Sequence, residues 1–240
     1  MEQKIRIVTW NCRLGQFTKK DPIIDCYHPD IAIIQEIRTP KKDDDNHCIW
    51  VRNTLTKDLG VAILSSKDFA IKKSPINPEL PEVFVPIEVR GKANFNLLAV
   101  WTQKKWDYIE SFQQILETYS TFLRSAPSVI AGDFNSNSIW DKKHERFSHS
   151  RVVEKLLQDF GLASVYHKKT GDTHGNENAM TFFRKNGNGS SYHLDYCFIP
   201  QEWEIMNVEM GSLENWVIKK TDKDRSKSDH LPLIVDVVLK

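Results

Sequence analysis

The chain has 240 residues, long enough for one large domain or two small ones and for burying roughly 70 to 75% of its unfolded surface. Lys plus Arg number 33 against 32 Asp plus Glu, a net charge of +1, which excludes a globally basic nucleic-acid binder and an acidic disordered chain, so any polyanion site must be local. Cys12, Cys26, Cys48 and Cys197 form no CxxC pair, which speaks against a zinc site or a disulfide scaffold and suits a reducing cytoplasm.

The start, MEQKIRIVTW, has no apolar core behind a basic segment, and no later window approaches the about 20 apolar residues of a membrane span. A cytoplasmic protein without a signal peptide is expected. Short runs rich in Val, Ile and aromatics then recur as strand candidates: 5–10, 31–36, 60–66, 83–90, 95–101, 128–134, 192–199 and 233–239. Between them, 106–123 places Ile109, Phe112, Leu116, Tyr119 and Leu123 at three- and four-residue steps, which predicts one amphipathic helix. A second helix is predicted over 148–161, with Val152, Val153, Leu156, Leu157 and Phe160 as its stripe, Ser148 or Ser150 as cap and Gly161 as stop. The polar stretches 38–46, 184–191 and 219–228 read as loops, and no internal repeat is found. This pattern predicts one α/β domain over 1–240: two packed sheets with helices on the outsides.

Polar residues of one chemical kind stand at the strand ends. Asn11 follows the first run, Glu36 the second, Asp133 and Asn135 the run 128–134; Asp195 lies within 192–199, and Asp229 and His230 precede the last. Taken singly, each is explained as a turn former or a surface acid. Taken together, oxygen ligands with amides and one imidazole suit Mg²⁺ or Mn²⁺ and the hydrolysis of a phosphate ester. No GxSxG, P-loop or GxGxxG competes.

TWNCR, IIQEI, AGDFN, HLDYCF and SDHLPL, in this order between residues 9 and 233, resemble the motif series of the endonuclease/exonuclease/phosphatase superfamily, in the manner of exonuclease III and deoxyribonuclease. The resemblance implies a four-layer α/β sandwich, two mixed β-sheets flanked by helices, and metal-dependent phosphoester hydrolysis. It implies Glu36 as principal metal ligand, Asn11 beside it, Asp133 as the group that deprotonates water, and Asn135 on a phosphate oxygen. His230 would donate to the phosphate or act as base, with its ring fixed by Asp195, and Asp229 would be a further metal-side acid. Where relatives often carry Tyr or His after the strand at 95–101, this chain has Trp101 and Thr102.

Basic and aromatic residues alternate in 101–108, 139–151 and 166–169, a pattern that can follow a backbone and stack on bases. Trp101, Trp140, Lys142, Lys143 and His193 are the substrate-contact candidates. A monomeric nuclease is expected; a hydrolase of small or lipid phosphates and an inactive binding module on the same fold are the alternatives.

Overall fold

The computed structural model describes residues 3–40, 47–53, 56, 58–77, 84–103, 108–143, 148–184, 189–217 and 228–239, with backbone only at 19, 108, 109, 111 and 143. In chain order it runs β1 (Gln3–Gly15), α1 (Lys20–Tyr27), β2 (Ile31–Arg38), β3 (Cys48–Arg52), β4 (Leu59–Ser65), β5 (Phe69–Lys73), β6 (Phe84–Gly91) and β7 (Phe95–Trp101). There follow α2 (Tyr108–Thr118), α3 (Ser120–Arg124), β8 (Ser128–Asp133), α4 (His149–Phe160), β9 (Leu162–Ser164) and α5 (Val165–Thr170). The last part is β10 (Phe182–Phe183), β11 (Ser191–Tyr192), β12 (Asp195–Pro200), β13 (Glu204–Met210), α6 (Leu213–Trp216) and β14 (Leu233–Leu239).

Two six-stranded mixed sheets result, ordered β13-β14-β1-β2-β4-β3 and β5-β6-β7-β8-β12-β9, with β10-β11 as a separate pair. Each sheet has one parallel pair among the described strands, β1 with β2 and β7 with β8. The two-residue alternation of strands explains the layering. Ile5, Ile7, Ile31 and Ile33 join the core shared with the second sheet, whereas Val8, Trp10, Ala32 and Ile34 join a separate core with Ile23 of α1 and Trp216 of α6. Phe112, Ile115 and Leu116 of α2 and Val152 and Leu156 of α4 cover the second sheet. β1 and β2 touch β8, and β1 and β14 touch β12; β12 and β14 run antiparallel to β8 and β1, so the carboxyl ends of β1, β2 and β8 gather with the amino ends of β12 and β14.

The predicted layers stand, with local corrections. The helix expected over 106–123 is two helices in the described residues, interrupted at Tyr119 (φ −95°, ψ 14°); residues 106 and 107 and the Ile109 side chain lie outside them. Thr118 Oγ1 donates back to Gln114 O at 2.9 Å, a bond that bends a helix. The second helix has its Ser148 cap and left-handed Gly161 (φ 65°), but Leu157 faces solvent. Of the expected loops, 41–46, 185–188 and 219–227 lie outside the described residues. The run 192–199 is divided between β11 and β12 and broken at His193 and Leu194, where the N–H groups of Leu194 and Asp195 both donate to Thr181 Oγ1, at 2.9 and 3.1 Å. No described helix is long and apolar enough to cross a membrane.

Candidate active site

The strand ends bend where their polar residues must turn inward. β1 and β2 lose register between Asn11 and Gly15, and β2 and β4 between Ile34 and Ile37. Such irregularities re-aim side chains at sheet rims. Within them Arg13, Leu14 and Glu36 take left-handed backbone (φ 50°, 54° and 56°), and Asn135 does so after β8 (φ 47°). For a residue with a Cβ this costs about 1–3 kcal/mol each and persists only where surrounding contacts hold it. Just before Asp133, Gly132 (φ 149°) is obligatory: a Cβ there would lie 1.9 Å from Val100 O.

Asn11 is the hub. Its Nδ2 donates to Glu36 Oε1 at 3.0 Å and to Asp133 Oδ2 at 2.9 Å, while its Oδ1 accepts from the Arg13 N–H at 2.9 Å. Glu36 Oε2 also accepts from Leu14 N–H at 3.3 Å. Asp133, fully buried, receives two further donors from Asn135, its N–H on Oδ1 and its Nδ2 on Oδ2, each at 2.9 Å. Asn135 Nδ2 also reaches Thr102 O at 3.2 Å, so this nitrogen is held on Asp133 and the neighbouring strand.

On the adjoining strand Asp195 is equally buried, and its Oδ2 lies 2.8 Å from His230 Nδ1. Burial pushes the Asp133 carboxyl up to about 7, against the opposing charge of His230 and with the like charge of Asp195 adding to it. Burial opposes charging His230, but Asp195, Asp133 and the hydrogen bond to Asp195 outweigh it and raise the imidazole to about 10. At neutral pH His230 is therefore a cation. Asp133, Asp195 and His230 offer atoms within 4.8 Å of one another, all buried. A hard cation fits Glu36, whose carboxylate is half-buried beside an amide; Asp229 is engaged by Arg13, Oδ2 to Nε at 3.3 Å.

Ser228 ties the late motif to the early one. Its Oγ donates to Asn11 O at 2.5 Å and accepts from the His230 N–H at 3.0 Å. Thr181 and Ser228 were not among the expected site residues. Ser228 lies inside the quoted SDHLPL, whereas nothing around Thr181 in AMTFF marks it.

The substrate-contact candidates divide. Trp101 is 3% exposed in the core, because β7 is covered on both faces, and His193 is 1% exposed with Nδ1 on Ala179 O at 2.8 Å; neither reaches the surface, which corrects both assignments. Lys142 is exposed, and the Lys143 side chain lies outside the described residues. Trp140 is half-buried against Tyr192, ring centroids 5.0 Å apart. Tyr192 stacks on Phe182 at 6.4 Å and Phe182 meets the His230 ring at 4.9 Å, so an aromatic ledge leads from His230 to Trp140. Phe182 and Tyr192 were absent from the expectation.

Two stacked mixed sheets with buried acids, amides and a charged imidazole at one rim define the class as a two-sheet α/β sandwich with an acid–histidine site. A model described as Endonuclease/Exonuclease/phosphatase family matches residues 8–230, and the chain belongs to that family, whose members are hydrolytic phosphoesterases. Similar solved structures include an endonuclease/exonuclease/phosphatase family protein from Bacteroides thetaiotaomicron (TM-score 0.66, 15% identity, covering 100% of this chain and 99% of that one). A functionally unknown conserved protein from Enterococcus faecalis has TM-score 0.65 and 18% identity, covering 97% and 99%. TDP2 of D. rerio, complexed with single strand DNA product, has TM-score 0.66 and 14% identity, covering 98% of each chain. No curated protein sequence matches the chain.

Proposed function

We propose that the chain, as one catalytic domain, hydrolyses the phosphodiester backbone of nucleic acid with a hard divalent cation held at Glu36. Family membership supports phosphodiester-type hydrolysis. The observation that favours nucleic acid over a compact phosphate ester is the aromatic ledge from His230 through Phe182 and Tyr192 to Trp140. Base–aromatic stacking contributes about 1–3 kcal/mol per base and tolerates any sequence, whereas a small phosphate has nothing to lay on a ledge of this length. The single-stranded DNA product in the D. rerio TDP2 complex is consistent with that substrate class.

When bound, Mg²⁺ or Mn²⁺ supplies positive charge to a non-bridging phosphate oxygen. Glu36 would hold it, with Asn11 and Asp229 on its flanks. Asp133 accepts the proton of the attacking water; its raised affinity places it near neutrality, and Asn11 and Asn135 fix both its oxygens. Asp195 holds His230 by Nδ1, so Nε2 is the group offered to the phosphate as charge accumulates during in-line displacement. Trp101 cannot take the part of a phosphate contact, being buried. All these residues come from one chain, so a monomer suffices, and four free cysteines suit a reducing cytoplasm.

The test is a panel of labelled single-stranded DNA, duplex DNA, RNA, inositol phosphates and a lipid phosphodiester, each with Mg²⁺ and with Mn²⁺. Turnover confined to the inositol or lipid substrates would move the assignment to the small-phosphate class.

A further inference from the structure

Beside the candidate site two consecutive residues are strained, and their side chains take no part in the chemistry above. Arg13 and Leu14 both hold left-handed backbone, φ 50° and 54°, although neither is glycine. The contacts that keep them there belong to the site itself. Arg13 N–H donates to Asn11 Oδ1 at 2.9 Å, and Leu14 N–H to Glu36 Oε2 at 3.3 Å. Both residues fall between Asn11 and Gly15, where β1 loses register with β2. The Arg13 side chain therefore leaves β1 at the rim, 48% exposed, with its Nε 3.3 Å from Asp229 Oδ2.

The ion pair does not account for the strain. A pair this open to water contributes little to stability, less than two left-handed residues with a Cβ cost. Strained backbone is kept where it places a functional group, and here it joins the two ends of the site. Through Asn11 and Leu14 the segment is fastened to Glu36 and Asp133. Through Asp229 it reaches the residue before His230, the imidazole assigned to the phosphate.

Charge points the same way. Of the acids at this rim, Asp195 has the His230 imidazole at 2.8 Å and Asp229 has the Arg13 guanidinium. A guanidinium stays protonated at any working pH, so Asp229 stands next to a fixed positive charge. A divalent ion entering beside Asp229 would meet that charge at close range and be repelled. The planar fork of an arginine can also bind phosphate oxygens along one edge while another edge rests on a carboxylate. We propose that Arg13, steered by Asp229, fills the place of a second divalent ion: the site takes one metal, at Glu36, and the guanidinium meets the phosphate from the Asp229 side. This rests on the phosphoester reading of the site and not on the choice of nucleic acid.

Mn²⁺ is the probe, counted on the full chain by the loss of its free paramagnetic resonance signal, with no substrate present. The wild type should bind one Mn²⁺, more weakly in Glu36→Gln. Arg13→Gly suits the left-handed backbone, so its urea midpoint should be no lower than that of the wild type. It should nevertheless take up a second Mn²⁺ at millimolar concentration, lost again when Asp229→Asn is added. Arg13→Lys, which keeps the charge, should bind one. On whichever substrate of the panel is turned over, with one ion bound, kcat should fall about 10²–10³-fold in Arg13→Gly, as for a lost charge-stabilising donor, and less in Arg13→Lys. Two Mn²⁺ in the wild type, only one in Arg13→Gly, or wild-type kcat in Arg13→Gly would each overturn the proposal. If the wild type turns over no phosphoester, the phosphoester reading falls, and the Mn²⁺ counts alone decide whether Arg13 holds the place of a cation.

Discussion

Asp133 and Asp195 are directly opposite one another on β8 and β12, and both are wholly buried. Two carboxylates so placed cannot both be ionised without a cation between them. His230 is that cation for Asp195, and Asp133 is left with a proton affinity near neutral. The acid and the base of the proposed reaction are thus separated by their surroundings and not by residue type.

Activity should be bell-shaped in pH. With saturating Mg²⁺, the rate should rise as Asp133 loses its proton around pH 7 and fall as His230 loses its own toward pH 10. In Asp195→Asn the alkaline limb should move to lower pH and kcat should drop by about 10²–10⁴. An unmoved alkaline limb assigns it to another group.

The same imidazole links stability to pH. Its folded affinity, about 10, lies above the ordinary 6.5, so its contribution is complete below pH 6.5 and is lost as pH rises through 10. Urea unfolding between pH 6.5 and 10 should show a decline of at most about 1.4 kcal/mol per pH unit from this one proton. His230→Ala should flatten that decline. An equal slope in both proteins assigns it elsewhere.

Chelation should abolish turnover and Mg²⁺ or Mn²⁺ restore it. Glu36→Gln should raise the metal concentration needed for half-maximal rate, with part of the rate returning at high metal. Recovery of none of it in a folded variant would give Glu36 a different role.

Thr181→Val keeps shape and removes the hydroxyl that accepts from Leu194 and Asp195 N–H. Buried donors left unsatisfied cost about 1–3 kcal/mol, so the urea midpoint should fall, and kcat should fall with it as Asp195 shifts under His230. Wild-type kcat in this variant would remove Thr181 from the site.

If Lys142 contacts a phosphate, Lys142→Glu should reduce the slope of log Kd against log salt by about 0.7–0.9, measured on DNA with inactive Asp133→Asn as the background. Trp140→Ala should weaken binding while leaving the slope unchanged, because stacking releases no counterions. A salt slope untouched by the first change would place the backbone path away from Lys142.

The parts of fold and site legible from residue order are those set by local rules. Strand periodicity marked β1, β2, β4, β6, β7, β8 and β14, and the Ser148 and Gly161 caps bounded α4. Short or charged elements such as β5 (FAIKK) and β13 (EIMNVEM) carry too little apolar pattern to stand out. The acids and amides at strand ends were legible because each sits beside an apolar run. Thr181 was not, because its role depends on which backbone crosses it, and Trp101 misled because an indole next to lysines resembles a surface platform until the sheet order buries it.

β1 lies between β2 and β14, with Gln3 opposite Leu239, and Ser228 closes onto Asn11. β1 therefore stays half-bare until β14, more than two hundred residues later, has been synthesised. On the ribosome, Glu36 and Asp133 emerge long before His230, and pairing over more than two hundred residues makes folding slow. A nascent chain thus carries the acids of the early motifs without the imidazole that joins them, so the candidate site is assembled only after β14 has emerged.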